Sequence, residues 1–593
     1  MKAKRIISAI LSIACGMSLF TGCNGSEAQT ESGEHEAITI HSPFRNATRF
    51  IDLVKEKYPE INLEIIPYSG KNMTGYLNAE LKSGDMPDIY MTTVYSPGLE
   101  DLSDRLIDLS GYAFTDNYAE SRLRDVADND AIYLLPTYYN CLGITYNKTI
   151  LEKNGWELPT TFAELEELAP KVEAAGYDLA ISQVALPGYG FQYLCNILDT
   201  DFLNTLDGRI WQRNYLNGTA SVKDTPQLVE AFSTLDKWKE IGMLKDGDPK
   251  DDGATKSIMA EGNTLFMIGS NNSFKEGESE CEFGLMPYLS EDGTQNSLVL
   301  SVTRYMGLNK HLEDKGNEQK LEDAVHVMEV LSTVEGMSAI NAGYENSALL
   351  PLKDYVIPDD NYYKSNEEDL NKGLTAPFIY SGWENVIVPI GEAMLDYIKG
   401  NMTSEELMTA IDDSQSLVNN DDSLVYTTVT EKLDTSECAK LVGICFGKAA
   451  GADLALISKN KWYPVYGEDY DLNSAGVSGS LFALPVTDYE ITSILPTGWR
   501  GNIQTVTLTG KRVRELAENG YNPKEDYVFP YELVTPEGMT IDDDTTYTVV
   551  ICGATNEVAE EGNITDTGIL GLDAAHDYFS QFETLSKKDI RWE

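Results

Sequence analysis

The stretch Tyr133–Asn147 reads Tyr-Leu-Leu-Pro-Thr-Tyr-Tyr-Asn-Cys-Leu-Gly-Ile-Thr-Tyr-Asn. Tyr138 and Tyr139 stand side by side in it, with Asn140 next. Flat rings with hydroxyl handles suit a partner whose faces are rich in C–H and whose rim carries hydroxyls, such as a sugar ring. Plain packing is the other use of such a pair. Most other chemistries lack their residues. The five histidines, at 35, 41, 311, 326 and 576, are scattered, whereas a two-metal hydrolytic centre needs clustered His and Asp. No phosphate-binding Walker loop, Gly-x-Ser-x-Gly elbow or His-Glu-x-x-His pair occurs. Asp469-Tyr470-Asp471-Leu472-Asn473 begins like a calcium loop. It then has Ser474 where Gly is needed and Ser480 where Glu is needed. Carboxylates are too numerous to nominate a glycosidase pair. The eight cysteines match no zinc or redox spacing and read as buried free thiols, with Cys438 and Cys445 on one helix face. These absences predict a chain that is not an enzyme and needs no metal or cofactor.

The elements that must hold the tyrosines follow from periodicity. Ile132–Leu135 and Leu142–Tyr146 read as buried strands, with a polar-aromatic turn over Pro136–Asn140. Upstream, Ala37–His41 reads as a strand, and Asn46–Tyr58 as a helix with Phe50, Leu53, Val54 and Tyr58 on one stripe. Ile61, Leu63 and Ile65 alternate as in a strand, Met73–Lys82 reads as a helix, and Pro87–Met91 as a further strand. Strand–helix–strand–helix–strand implies a parallel sheet in an α/β lobe. Thr161 with Glu164 and Thr403 with Glu406 are spaced as capping boxes. Pro170 predicts a kink or a break in its helix, and Pro389 a kink or a delayed start. His326 reads as a packed or surface histidine. Asn419–Ser423 is a candidate linker, after which a second α/β pattern runs from the Val425–Val429 strand to the Tyr547–Cys552 strand.

The chain has 593 residues, 42% of them hydrophobic, enough for about four compact units at ordinary domain size. Its 45 basic against 95 acidic residues give a formal net charge of −50. Such a surface repels phosphate backbones and argues against nucleic acid as a partner. Adhesion to anionic lipid through charge is disfavoured for the same reason.

Residues 1–22 have a basic start, Lys2, Lys4 and Arg5, and a short apolar run from Ile6 to Phe20. That is the pattern of a signal peptide. The end, Leu19-Phe20-Thr21-Gly22-Cys23, resembles the lipobox of bacterial lipoproteins. The resemblance implies cleavage before Cys23 and its acylation, hence a lipid-anchored protein on the outer side of the bacterial cell membrane. Residues 23–36 then read as a flexible tether.

Four further steps resemble the family 1 extracellular solute-binding proteins of ABC sugar importers. They are Tyr58-Pro59-Glu60-Ile61, then Ser83-Gly84-Asp85-Met86-Pro87-Asp88-Ile89, then Tyr146-Asn147-Lys148 with Leu151-Glu152-Lys153-Asn154-Gly155, and Leu158-Pro159-Thr160-Thr161-Phe162-Ala163-Glu164-Leu165. The likeness spans about residues 37–420. It implies a two-lobed periplasmic-binding-protein-like (type II) α/β domain, a carbohydrate ligand between the lobes, and ABC permease subunits as partners. In open α/β sheets a ligand sits beyond the carboxyl ends of strands. The resemblance therefore nominates Phe44, Arg45, Tyr95, Tyr138, Tyr139, Asn271, Tyr305 and Trp383, at strand ends and in loops, as ligand-binding residues. The aromatics would stack on sugar faces, and Arg45 and Asn271 would hydrogen-bond hydroxyls.

Residues 426–593 resemble the C-terminal domain of 5′-nucleotidases, an α/β unit. The likeness rests on the helix followed by Asp453–Ile457, on Gly479-Ser480-Leu481 with Asp488 and Ile494-Leu495-Pro496, on Val506-Thr507-Leu508-Thr509-Gly510, and on Tyr547-Thr548-Val549. Ser458-Lys459-Asn460-Lys461-Trp462 stands where the family has an Asn-Gly-Gly-x-Arg nucleotide grip. Trp462, Tyr463 and Tyr466 could stack on another ring. The family's catalytic half is missing, which predicts no phosphatase activity. The alternative function is a surface protein that binds or hydrolyses nucleotides through this unit.

Overall fold

A computed structural model describes residues 35–593 except 42–46, 67, 69–71, 94–101, 184–185, 246–251, 270–278, 343–347, 380–381, 419–423, 460–475, 497–500, 525–526 and 553–563. The expectations for the signal peptide, Cys23 and most of the tether lie outside the described residues. So do those for Phe44, Arg45, Tyr95, Asn271, the 419–423 linker, Trp462, Tyr463, Tyr466 and most of the calcium-like loop.

In the first lobe β1 (Ile38–His41), α1 (Thr48–Lys57), β2 (Leu63–Ile66), α2 (Met73–Ser83) and β3 (Ile89–Thr92) alternate as their periodicity predicts. β1 pairs in parallel with both β2 and β3. Asn72 caps α2 by accepting from the Gly75 amide, and Gly84 ends it at φ 78, a left-handed turn that glycine adopts without strain. After α3 (Glu120–Arg124), β4 (Leu135–Leu142) leads out of this lobe.

The second lobe is built from β5 (Ile144–Asn147), α4 (Lys148–Asn154), α5 (Phe162–Ala174), β6 (Asp178–Ser182), α6 (Pro187–Leu198), α7 (Leu206–Leu216), α8 (Pro226–Glu240), α9 (Asp252–Ala260), β7 (Thr264–Ile268) and β8 (Phe283–Met286). Its sheet runs β6-β7-β5-β8. The long β9 (Leu298–Leu308) returns to the first lobe, followed by α10 (Glu318–Leu331), α11 (Val334–Ile340), α12 (Glu367–Lys372) and β10 (Thr375–Pro377). α13 (Glu384–Ile398) and α14 (Ser404–Ser414) then pack back on the second lobe's core.

Two expectations are corrected. Pro136–Asn140 is no turn: β4 runs through it, because antiparallel pairing with β9 overrides the local turn tendency. Two register shifts, between Pro136 and Tyr138 and between Tyr138 and Tyr139, absorb the awkward residues as bulges. Pro170 and Pro389 both sit inside continuous helices, so neither ends its helix. Of the two expected capping boxes, Thr403 with Glu406 forms in full. At Thr161 the side chain accepts from the Glu164 amide, while the Glu164 carboxylate turns instead to Thr160.

The C-terminal unit contains β11 (Thr427–Val429), α15 (Thr435–Ala450), β12 (Leu454–Ser458), β13 (Pro485–Val486), α16 (Asp488–Ile494), β14 (Asn502–Thr509), α17 (Gly510–Asn519), β15 (Tyr521–Lys524), β16 (Tyr527–Phe529), β17 (Tyr531–Val534), β18 (Thr546–Cys552), β19 (Thr565–Leu570), α18 (Gly571–Phe579) and β20 (Thr584–Leu585). A mixed sheet in the order β17-β12-β18-β14-β19 forms its centre. Alternation along β12 divides the packing. Ala455 and Ile457 meet α15 and α18 on one face, and Leu454 and Leu456 meet α17 residues Val513 and Leu516 on the other.

Candidate functional site

The two lobes have separate apolar cores, and β4 and β9 carry the chain between them. Register locates the crossing. Ile89 of β3 lies opposite Leu308 of β9, and Thr92 at the carboxyl end of β3 lies opposite Tyr305. Continuing in that direction, β9 next presents Arg304, Val302 and Ser301, opposite Tyr138, Tyr139 and Asn140 of β4. The carboxyl end of β3, and of β1 beside it, therefore faces the middle of the two crossing strands. That is the place where open α/β sheets take ligands.

Tyr139, Asn140, Ser301, Val302, Arg304 and Tyr305 are all only half-buried, although they lie in the interior of long paired strands. Tyr139 packs on a small separate core of Cys141, Leu285, Leu298, Leu300, Leu349 and Tyr363, and Tyr305 on the first lobe's core. Tyr138 is 4% exposed, and its hydroxyl accepts a hydrogen bond from Arg304, whose guanidinium lies 5.3 Å from the Tyr138 ring centre. Tyr139 exchanges two backbone hydrogen bonds with Leu349, each 2.9 Å. The Arg122 guanidinium lies 5.5 Å from the Tyr139 ring centre. Burial pushes the Tyr139 hydroxyl up to about 12, with Arg122 opposing. It therefore stays a neutral donor and acceptor at physiological pH. Together these groups offer aromatic faces, a fixed guanidinium and small polar side chains. Such a set has the chemistry to hold a neutral polyol through stacking and hydrogen bonds, with no bond made.

Tyr139 and Tyr305 both reach this half-buried strip, while Tyr138, next to Tyr139 in β4, is buried in the first lobe's core. Trp383 is not with them. It is 6% exposed and stacks on Tyr215 at 4.9 Å and 4°, with Phe191 and Trp211 at 5.9 and 6.3 Å. In this conformation its ring packs the second lobe's core and seats the amino end of α13. Arg304, Asn140 and Ser301 were not among the residues nominated from the sequence as ligand-binding. Their signal was the pairing of two polar-aromatic strands, which only the register reveals.

The histidines are dispersed in space as in sequence. His41 meets Glu80 at 2.6 Å, His311 meets Asp88 at 2.9 Å, His35 meets Asp323 at 2.8 Å, and His576 meets Asp488 at 2.6 Å. His326 stacks on Tyr58 at 4.2 Å. Among the described residues no group of three or more His, Cys, Asp or Glu is placed to hold a metal ion. Nor is any described helix long and apolar enough to cross a membrane.

Two α/β lobes are thus joined by crossing strands that carry a half-buried polar-aromatic strip. Residues 39–290 match the family of bacterial extracellular solute-binding proteins. A family 1 extracellular solute-binding protein from Bifidobacterium longum subsp. infantis superposes with a TM-score of 0.53 at 17% identity, covering 65% of this chain and 100% of that one. RafE from Streptococcus pneumoniae, in its apo form, gives 0.52 at 16% identity over 65% of this chain and 98% of its own. The Multiple sugar-binding protein of Streptococcus mutans serotype c is 23% identical over 168 residues, 26% of this chain. That match spans 38% of the relative's length. The likeness establishes the mixed α/β fold of the periplasmic solute-binding proteins.

Proposed function

We propose that this is a lipid-anchored, extracytoplasmic binding protein that captures a carbohydrate between its lobes and passes it unchanged to an ABC permease. The observation that carries the reading is the half-buried strip of Tyr139, Asn140, Ser301, Val302, Arg304 and Tyr305 at the lobe crossing, in a chain whose residues 39–290 match the solute-binding family. The name of the Streptococcus mutans relative supports a sugar as the solute. In this reading Tyr139 and Tyr305 contact the ligand, and Phe44, Arg45, Tyr95, Tyr138 and Asn271 remain candidates for further contacts. Closure of the lobes buries the ligand and makes a shape a permease can select, which needs only differential binding to the closed state. Cys23 carries the lipid. Residues 426–593 are a 5′-nucleotidase C-terminal-like unit without that family's catalytic half. Calorimetry of the full chain against raffinose, maltotriose, cellotriose and xylotriose tests the reading. Binding of at least one, recovered intact, is expected, and no binding by any of them rejects it. Metal-dependent phosphate release from nucleotides would favour the competing, nucleotide-directed reading.

A further inference from the structure

The chain leaves the second lobe at Val418, whose carbonyl accepts from Asn385 of α13. It enters the C-terminal unit at Tyr426, whose amide donates to Val486. Although its tether comes from the second lobe, the unit packs on the first. Tyr68 donates to the Ser493 carbonyl at 2.7 Å. Asn72, the cap of α2, donates to the Thr492 hydroxyl at 2.8 Å and to the Tyr489 carbonyl at 3.2 Å. Tyr68 and Tyr76 stack at 4.4 Å and 5°, and the Phe482 ring lies 5.6 Å from that of Tyr76. Phe482 is 2% exposed and belongs to the first lobe's core, although it comes from the C-terminal unit. Lys432 covers its ring at 5.1 Å and pairs with Asp85, just past α2, at 2.6 Å. Glycines permit the close approach. A Cβ on Gly75 would come 2.9 Å from the Tyr489 carbonyl, and one on Gly479 2.7 Å from the Tyr76 ring. Rings and backbone meet here as they do inside one core, where little can shift without loss of contact.

α2, the helix held in this way, is itself bonded to the ligand-side end of the first lobe's sheet. At the end of β1, His41 meets Glu80 of α2 at 2.6 Å, and its ring stands edge-on to that of Tyr76 at 6.1 Å. Tyr90 of β3 donates to the Leu77 carbonyl at 2.8 Å. Thr74, in the first turn of α2, bonds Thr93, just past β3, at 2.8 Å. Thr92, the residue before it, lies opposite Tyr305 of the crossing strip. A continuous run of contacts thus joins Phe482, through Tyr76 and His41, to the strand ends that face the strip.

We propose that the C-terminal unit is mechanically part of the first lobe and serves as its buttress, holding α2 and through it the ligand-side ends of β1 and β3, so that solute affinity depends on the docked unit. The moving bodies then differ from the units that the sequence delimits. One is the first lobe together with residues 426–593, and the other is the second lobe. Residues 419–425 link them, as β4 and β9 do. The dependence of affinity rests on the crossing strip as the solute site, whereas the docking does not.

The test uses the full chain with a protease recognition sequence placed within residues 419–423. After cleavage the two parts should stay together on size-exclusion chromatography at micromolar concentration, and should separate in Phe482→Ala. In uncleaved Phe482→Ala, amide exchange should quicken in α2 and at the ends of β1 and β3, while α5 and α8 of the second lobe exchange as before. Its affinity for the best-binding trisaccharide should fall by about three- to thirtyfold, the scale of coupling between distant sites. Phe482→Leu, which keeps an apolar contact with Tyr76, should restore most of both. Tyr68→Phe removes one hydrogen bond and keeps the ring stack. It should show the same changes to a smaller degree, and it decides the matter if Phe482→Ala does not fold. Cleaved wild-type parts that separate overturn the docking. Unchanged exchange in α2, or unchanged affinity where exchange has quickened, overturns the buttress. A wild type that binds no trisaccharide while its cleaved parts stay together removes the carbohydrate reading, and the exchange experiment alone then decides the buttress.

Discussion

The α2–α16 contact and the β4–β9 crossing are both seams between parts of the molecule, and they are built in opposite ways. At the first, Tyr68, Asn72 and Phe482 are buried, their polar atoms are satisfied by Ser493, Tyr489 and Thr492, and glycines bring the backbones together. At the second, bulges interrupt the ladder, and a row of polar and aromatic side chains stays half-open. Satisfied, closely packed surfaces are costly to part, because every donor left behind would lose its partner. Half-open polar surface already has water to exchange for another hydroxylated partner. The contrast makes one seam a fixed joint and leaves the other suited to the transient guest proposed for it.

The largest expected effect falls under the fixed joint. His41, at the end of β1, bonds the Ile66 carbonyl at 3.0 Å and Glu80 of α2 at 2.6 Å, and both side chains are buried. Glu80→Ala should destabilise the protein by about 3–5 kcal/mol, the cost of leaving one member of a buried pair alone. Thermal or urea unfolding would measure it, and a loss below about 1 kcal/mol would mean the pair is effectively solvated. Next comes Gly479→Ala. Gly479 has φ 69, and a Cβ there meets the Tyr76 ring, so a cost of about 1–3 kcal/mol is expected from strain and overpacking. Limited proteolysis should then release the C-terminal unit sooner. Unchanged protection would show that the joint does not depend on this approach.

A third prediction sharpens the comparison with a buried carboxyl that lacks such a joint. Asp199, in the second lobe, is buried, and both its carboxyl oxygens find no hydrogen-bond partner among the described residues. Burial holds it well above the usual carboxylate range, with Arg209 opposing. The folded state therefore keeps a proton that the unfolded state releases near pH 4, so stability falls as pH rises from there towards the raised value. Asp199→Asn should flatten that decline and be relatively more stable at neutral pH. An identical pH profile in unfolding experiments would contradict it. The smallest stability effects belong to the crossing. Asn140→Ala and Ser301→Ala should each alter stability by less than about 0.5 kcal/mol, while calorimetry shows weaker saccharide binding. The reverse pattern would make the crossing a structural seam like the other.

Local elements were legible because their causes are local. The alternation of Leu63 and Ile65, the helix expected over Met73–Lys82 and the Thr403–Glu406 box each rest on residues a few places apart. Tyr138 and Tyr139 stand out by type, but their strand was misread, since only pairing with β9 turns Pro136–Asn140 into extended chain. Trp383 looked like a loop aromatic beside Gly382, and nothing nearby in sequence announces its stacking on Tyr215. The fixed joint was invisible for the same reason: Tyr68 and Ser493 are 425 residues apart, and no periodicity links them.

The most direct test places spin labels on the first lobe, the second lobe and the C-terminal unit of the full chain and measures the three distances with and without the best-binding trisaccharide. The distance between the two lobes should shorten on binding, while that between the first lobe and the C-terminal unit stays fixed. Three unchanged distances at saturating sugar, or a C-terminal unit that moves away from the first lobe, would contradict the account.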